Sequence, residues 1–189
     1  MRHTRAAALA GALSLLTAPA LAQGLSFSGS VGITSNYMSR GVTQSDNRPA
    51  LQFGFEGEIS GFYAGIWGSS VRLAPDDVEL DLYAGYRFSV GAASFDVGYA
   101  RYFYDSTGNC CGEVYGLFEV AADPVTVFGG VYYDPRLRST NDVHLGVRYG
   151  FMDRFEASAQ VGRAVGGVNY GVLGLGYQLN DSVGFDAGY

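Results

Sequence analysis

The sequence predicts an all-β protein, an antiparallel transmembrane β-barrel of the outer-membrane type with about ten to twelve strands. Three observations predict this fold. Apolar and polar residues alternate with a period of two in about eleven consecutive segments, as they do in strands that have one apolar face. Short turns alternate along the chain with longer polar connections, and a secretory signal precedes the first segment.

The N-terminal residues 1–22 have the three parts of a secretory signal peptide. Arg2 and Arg5 come first, an apolar run follows, and Ala20-Leu21-Ala22 provides the small residues of a cleavage site. The apolar run is shorter than the about 20 residues that a membrane-spanning helix needs. We therefore expect residues 1–22 to be a signal peptide and residues 23–189 to be one outer-membrane β-barrel domain, located in the outer membrane of a Gram-negative bacterium.

The alternation is clearest where one face is wholly apolar. In segment 50–59, Leu51, Phe53 and Phe55 share one face, while Glu56 and Glu58 lie on the other. The same pattern predicts strands at 25–38, 79–90, 142–151 and from residue 155, and a weaker pattern predicts strands at 62–73, 94–104, 113–122, 125–134, 168–179 and 182–189. These lengths suit the about 9–11 residues with which a tilted strand crosses a bilayer. An odd number of strands could close into a barrel only if the first and last strands paired in parallel.

The predicted connections are of two kinds. Short turns are predicted at 60–61, 91–92, 123–124, 152–153 and 180–181. Mostly longer polar loops are predicted at 39–47, 74–78, 105–112, 135–141 and 164–167. Short turns at one end and long loops at the other are typical of outer-membrane barrels.

A soluble barrel of the lipocalin type shares this alternation. Its apolar face points inward, whereas the apolar face of a membrane barrel meets lipid. The polar faces here are rich in Gly, Ser and Tyr, and all 12 basic residues are arginine, unlike the lysine-bearing surfaces of soluble proteins. Tyrosines on the apolar face, several near strand ends, suit an interfacial belt: Tyr37, Tyr86, Tyr99, Tyr149 and Tyr177. The membrane barrel is therefore favoured, and a soluble ligand-binding barrel is the alternative.

The charge balance excludes one class of partner. The 18 acidic residues outnumber the basic ones and give a formal net charge of −6, without a basic patch that would bind nucleic acid. The expected partners are outer-membrane lipid and lipopolysaccharide, together with small solutes or ions. Asp76, Asp77, Arg136 and Arg138 fall in predicted outer loops, where they would contact lipopolysaccharide phosphates and bridging divalent ions or remain ordinary solvated charges.

Two stretches carry a resemblance to a known family. Residues 35–50, SNYMSRGVTQSDNRPA, and residues 61–71, GFYAGIWGSSV, are similar to the TorF-like porin family. These are proteobacterial secreted proteins containing Gly, Cys and Trp, also described as a conserved family of unknown function. The resemblance is specific in these two stretches and rests elsewhere on strand rhythm. It implies an outer-membrane barrel with a pore role, and it supplies no substrate, cofactor or catalytic residue.

Charged residues on the polar faces would project into the interior of such a barrel. Because rings of Asp and Glu favour cations, these residues are candidates to line a narrow, cation-preferring channel for small solutes. The candidates are Glu56, Glu58, Glu79, Asp81, Arg87, Asp96, Glu113, Glu119, Arg148 and Glu156, with Trp67 and His144 on the same faces. The alternative is an ion-pair and water network that fills the interior, since barrels of about eight strands are filled by side chains and those of about sixteen are open. A non-conducting structural or ligand-binding barrel is then expected.

Four further features bear on function. Trp67 would be an aromatic wall for a ligand, or otherwise filler or an interfacial anchor. His144 would have to carry any chemistry of an outer-membrane lipid enzyme, but no nucleophile motif accompanies it, so we expect no enzyme.

Cys110 and Cys111 are too few for a metal site, so we expect a vicinal disulfide or an inert pair. We expect the protein to bind neither a metal nor a cofactor. Arg101 falls on the apolar face, so it must lie near the interface or be turned inward by a bulge.

Overall fold

The computed structural model describes residues 24–189 and the backbone of residues 13–18. The all-β class is confirmed, as is the antiparallel arrangement of the strands. Twelve strands form one sheet in the order β1-β2-β5-β6-β7-β8-β9-β10-β11-β12-β13-β14, and β3 pairs with β4 in a separate hairpin. The strands are β1 Leu13–Ala18, β2 Leu25–Thr34, β3 Met38–Ser39, β4 Val42–Thr43, β5 Ala50–Ile59, β6 Phe62–Leu73, β7 Asp76–Val90, β8 Ala93–Tyr104, β9 Gly108–Ala122, β10 Val125–Asp134, β11 Ser139–Phe151, β12 Phe155–Ala164, β13 Asn169–Gln178 and β14 Gly184–Gly188.

The predicted signal peptide, residues 1–22, lies mostly outside the described residues. Its segment Leu13–Ala18 forms β1, which pairs antiparallel with β2 at the edge of the sheet. The eleven predicted strands correspond to β2 and β5–β14. Within the part of the chain that the structure describes, no helix has the length and apolar character needed to cross a membrane.

The predicted long loops are mostly wrong. Strands β7, β9 and β11 begin earlier than predicted, so the connections at 74–75, 105–107 and 135–138 have only two to four residues. The polar residues assigned to these loops instead join the ladders, as Asn109 does by pairing with Phe103. Backbone hydrogen bonds form whether the side chains are polar or apolar. Hydrophobic alternation therefore underestimates the length of a strand whose ends carry polar residues. Of the loops predicted to be long, only the one between β2 and β5, residues 35–49, is a long segment in the structure. It contains the β3–β4 hairpin.

The two faces of the sheet differ sharply in exposure. Many large apolar side chains are exposed, including Ile33, Leu51, Phe55, Phe62, Val90, Leu145 and Leu173. The buried set is mostly polar or charged, and includes Gln52, Ser69, Glu79, Glu113, Asp134 and Asp142. This arrangement inverts that of a soluble barrel, whose carboxylates face water and whose apolar residues are enclosed.

The sheet curls with its polar face on the concave side. The hairpin is anchored to β6 by a bond of 2.7 Å from the Arg72 amide to the Gln44 carbonyl, while Gly41 at its tip lies against Tyr170 of β13. Strands β6 and β13 are far apart in the ladder, so a single short hairpin can touch both only across a curved sheet. Cα atoms of β1 and β14, the two edge strands, also approach within 8 Å. Among the described strands no ladder joins β14 to β1 or β2, so a closed barrel is not seen.

Tyr37 is not on the apolar face, contrary to the prediction. Strand β2 ends at Thr34, and the bend at Ser35–Asn36 interrupts the alternation, so Tyr37 turns to the polar side and packs edge-on against Trp67 with ring centroids 5.4 Å apart. The other four tyrosines follow the alternation: Tyr86, Tyr99 and Tyr149 are exposed, and Tyr177 packs against Phe155.

Aromatic side chains line the apolar face at the end that carries the short turns. Phe62, Tyr86, Phe88 and Phe95 form one cluster, and Tyr149, Phe151, Phe155 and Tyr177 form another. Neighbouring ring centroids are 4.6 to 6.1 Å apart. The rings therefore form a band along one end of the apolar face.

Candidate functional site

The polar face holds a group of carboxylates around Arg87, near the short turns. The guanidinium donates to Glu56 at 2.6 and 2.9 Å, to Glu58 at 3.1 Å and to Asp96 at 3.1 Å. Its central carbon lies 3.7 Å from the ring centroid of Tyr63, whose hydroxyl donates to Asp96. One arginine therefore neutralises part of a charge supplied by three acidic strand positions.

A second group joins the hairpin to the opposite strands. Arg40 and Gly41 both have positive φ values and form the tight turn between β3 and β4. From this turn, Arg40 donates to Glu113 of β9 through two bonds of 2.7 and 2.6 Å. Glu113 is 2% exposed, and it also accepts from the Tyr102 hydroxyl at 2.6 Å and from the Asn141 amide at 2.7 Å. This bidentate pair holds the hairpin against the concave face.

His144 belongs to a third group. Its Nδ1 lies 2.6 Å from a carboxylate oxygen of Asp142, and the Tyr170 hydroxyl donates to the other oxygen at 2.7 Å. Asp142 is 2% exposed, and the His144 ring packs near Tyr132. Among residues 24–189, no serine hydroxyl is hydrogen-bonded to His144.

The remaining arginine of the predicted set has its own partners. Arg148 donates to Glu119 and lies 4.0 Å from Glu156. Its guanidinium carbon is 4.7 Å from the ring centroid of Phe128. The Glu156 side chain is 52% exposed, so its position in the interior is open to solvent.

A fifth group contains no cation. Glu79 and Asp81 lie two residues apart on the polar face of β7, and in register they oppose Ser69 and Trp67 of β6. On the other side of Ser69, the residue opposite it in register is Gln52 of β5, which is 2% exposed. None of the described salt bridges reaches either carboxylate, and both amide atoms of Gln52, Glu79 Oε2 and Asp81 Oδ1 are buried without a hydrogen-bond partner.

Tyrosines pack into glycine positions on neighbouring strands of the polar face. In each case the tyrosine lies directly opposite the glycine in register: Tyr83 and Gly65, Tyr63 and Gly85, Tyr115 and Gly98, Tyr170 and Gly162. The Tyr63 and Tyr115 hydroxyls meet at 2.5 Å across the concave side. Glycine is needed at these positions because a Cβ atom would overlap the tyrosine ring.

The loop charges have local structural partners. Asp76 is 6% exposed and accepts bonds from the amides of Ser106 and Thr107. Asp105 accepts from the amides of Asp77 and Val78, and these bonds hold the pKa of the Asp105 carboxyl below its usual range. Asp76, at the start of β7, and Asp105 therefore join the connections 74–75 and 105–107.

The other residues singled out in the sequence are placed as follows. The Sγ atoms of Cys110 and Cys111 are joined in a vicinal disulfide at the start of β9. Arg101 stays on the apolar face, half-buried, and donates to the Tyr99 hydroxyl at 3.2 Å. Among residues 24–189, no three His, Cys, Asp or Glu are grouped so as to hold a metal ion.

Several residues of these groups were missed in the sequence. Arg40 and Asp142 lie at or beyond the ends of the alternating segments, and Tyr63 and Tyr115 are not among the predicted site residues. Alternation did place Tyr63 on the face of Trp67, so its position could have been found. The partnership of Arg40 with Glu113, 73 residues away, has no local signal.

Comparisons with known proteins identify one family. A family model described as "Bacterial protein of unknown function (Gcw_chp)" matches residues 19–170. No curated protein and no solved structure matches the chain. The match supports the coarser part of the resemblance, a bacterial family of unknown function, and it does not extend to the porin assignment.

Proposed function

The chain belongs to this bacterial family of unknown function, and we propose that it is an outer-membrane β-barrel whose interior is a narrow, cation-preferring pathway for small solutes. The observation that carries the proposal is the inverted exposure of the sheet. Large apolar side chains cover the convex face, and carboxylates are enclosed on the concave face. An exposed apolar surface of this extent needs a hydrocarbon environment. The aromatic band near the short turns suits the level of the lipid headgroups.

The charge of the enclosed face supports the preference for cations. The carboxylates of the five groups outnumber the guanidinium groups of Arg40, Arg87 and Arg148, and Glu79 and Asp81 are matched by none of them. Rings and clusters of carboxylates attract cations and repel anions inside a pore. The pathway would be narrow because tyrosines and the hairpin occupy much of the concave side.

Conductance across planar lipid bilayers tests the proposal. Refolded protein, with its folding checked by heat-modifiable gel mobility, should give discrete steps and a reversal potential that favours cations in a KCl gradient. Glu58→Gln and Asp81→Asn should each weaken that preference by removing enclosed negative charge. Asp181→Asn, at an exposed turn, is the control and should leave the reversal potential unchanged. Folded protein that never conducts would refute the channel.

The hairpin is proposed to hold this pathway closed. Arg40→Ala removes both bonds to Glu113, so the β3–β4 tip should leave the concave face more often. We expect the open probability to rise by about tenfold or more, since one bidentate charge-assisted pair contributes about 1.5–3 kcal/mol and each 1.4 kcal/mol is a factor of about ten. Arg48→Ala is the control in the same segment, because Arg48 is exposed and reaches only Asp46, at 3.9 Å. Equal conductance in the two variants would show that the hairpin is no gate.

A second candidate is a barrel that does not conduct. The observation that favours it is the bonding of the enclosed arginines, since Arg87 and Arg148 join carboxylates of several strands. Such a network, with tyrosines filling glycine positions, resembles the filled interior of small barrels. In that case the bilayer experiment gives no steps for either the wild type or Arg40→Ala. A lipid enzyme that uses His144 has less support, because no nucleophile accompanies the His144–Asp142 pair among the described residues.

A further inference from the structure

The cation-free group on β5, β6 and β7 has the composition of a ligand site. Gln52, Ser69 and Glu79 form one cross-strand row, and Trp67 and Asp81 form the next. Ser69 has a short side chain, so the longer Gln52 and Glu79 extend past it on the same face. Four terminal atoms of this group are nevertheless buried without a hydrogen-bond partner among the described residues: Gln52 Nε2 and Oε1, Glu79 Oε2 and Asp81 Oδ1.

These unpartnered atoms are costly unless something binds them. Gln52 is 2% exposed and Glu79 is 4% exposed, and a buried polar group without a partner destabilises the folded protein, more so if it is charged. Arg40, whose charge reaches Glu79 through space, directs its two terminal nitrogens to Glu113 instead. The group therefore presents two carboxylates and an amide oxygen that a cation would satisfy.

Aromatic rings define which cation fits. Trp67 lies directly opposite Asp81, and its ring meets Tyr37 edge-on at 5.4 Å. Carboxylates beside the faces of Trp and Tyr are the combination that recognises ammonium groups, because the rings attract the cation while the oxygens accept its hydrogens. The enclosing rings and the small number of acidic ligands suit a metal ion less well.

We propose that Glu79, Asp81 and Gln52, walled by Trp67 and Tyr37, bind the ammonium group of a small organic amine. The three N–H bonds of a primary ammonium would go to the unpartnered oxygens, and its alkyl chain would lie against the indole. This names the solute class of the proposed pathway and rests on that function. Binding itself is measurable whether or not the protein conducts.

Trp67 supplies the assay, since it is the sole tryptophan of the chain. Refolded protein in detergent is titrated with n-butylammonium chloride while its tryptophan emission is recorded at constant ionic strength. We expect a saturable change of emission that neutral n-butanol does not produce. Glu79→Gln and Asp81→Asn should each weaken binding by about tenfold or more, as expected for loss of one charge-assisted hydrogen bond.

Glu156→Gln is the matched control. Glu156 belongs to the Arg148 group and is half-exposed, so its loss should leave butylammonium binding unchanged. If Glu79→Gln does not fold, Gln52→Leu takes its place, because it removes the amide oxygen without altering charge. The proposal is overturned by an unsaturable wild-type response, by equal affinity in all variants, or by saturation with CaCl₂ alone. Binding without bilayer conductance would refute the channel and keep the amine site, whereas conductance without binding would do the reverse.

Discussion

Replacing Arg87 with glutamine should lower the free energy of unfolding by about 3 kcal/mol, because it leaves neighbouring carboxylates without their shared cation. Arg87 makes four hydrogen bonds to Glu56, Glu58 and Asp96, and Glu56 and Asp96 have side chains only 15% and 13% exposed. Glutamine can donate to one of them but cannot offset their charge. Urea unfolding in lipid vesicles, followed by the emission of Trp67, measures the loss.

A control variant at another arginine and a measurement in high salt test whether the loss comes from the charges around Arg87. Arg136→Ala removes an arginine from an exposed connection and should change stability by less than about 0.5 kcal/mol. Half-buried carboxylates that repel one another are partly screened, so the deficit of the Arg87→Gln variant should shrink in high salt. If both variants unfolded at the same urea concentration, the ion pairs of Arg87 would contribute nothing to the free energy of unfolding.

The substitution Gly85→Ala should be comparably damaging for a reason of shape. A Cβ at this position would lie 2.4 Å from the Tyr63 hydroxyl oxygen and 2.5 Å from the backbone carbonyl oxygen of Val97. The ring must move, and with it the stacking on Arg87 and the bond to Asp96. Overpacking of this kind costs about 1–3 kcal/mol, and we expect the upper end because a backbone atom also obstructs the new methyl group.

Gly116→Ala is the corresponding control. No heavy atom lies within 4 Å of the Cβ that it would acquire, and its neighbours in register are Val97 and Val131 on the apolar face. Loss of unfolded-state freedom should then make this variant neutral or more stable by up to about 1 kcal/mol. Urea midpoints of the two alanine variants give the comparison, and equal midpoints would contradict the proposed tight fit of Tyr63.

Much of the sheet was predictable because its faces differ so strongly. Strands β5, β6 and β10 begin and end at the predicted residues, where Ser60-Gly61 and Asp123-Pro124 punctuate the alternation. The starts of β7, β9 and β11 were missed because the polar residues there, such as Asp76 and Ser139, still pair through their backbones. The hairpin escaped prediction since strands of two residues carry no periodicity.

The site was predictable in composition and not in its connections. Alternation placed Glu56, Arg87 and Asp96 on one face, but only the curvature of the sheet brings Arg40 to Glu113. The unpartnered state of Gln52 likewise depends on which side chains of neighbouring strands reach its amide. Such relations are set by tertiary geometry, which no period along the chain records.

The interlocking of tyrosines with glycines constrains how this chain can change over generations. Where Tyr170 fills the space over Gly162, an alanine at the glycine is damaging as long as the ring remains. A smaller residue must first replace the tyrosine before the glycine is free to vary. The order of substitutions is therefore restricted, and we expect the residues at the two positions to change together and not independently.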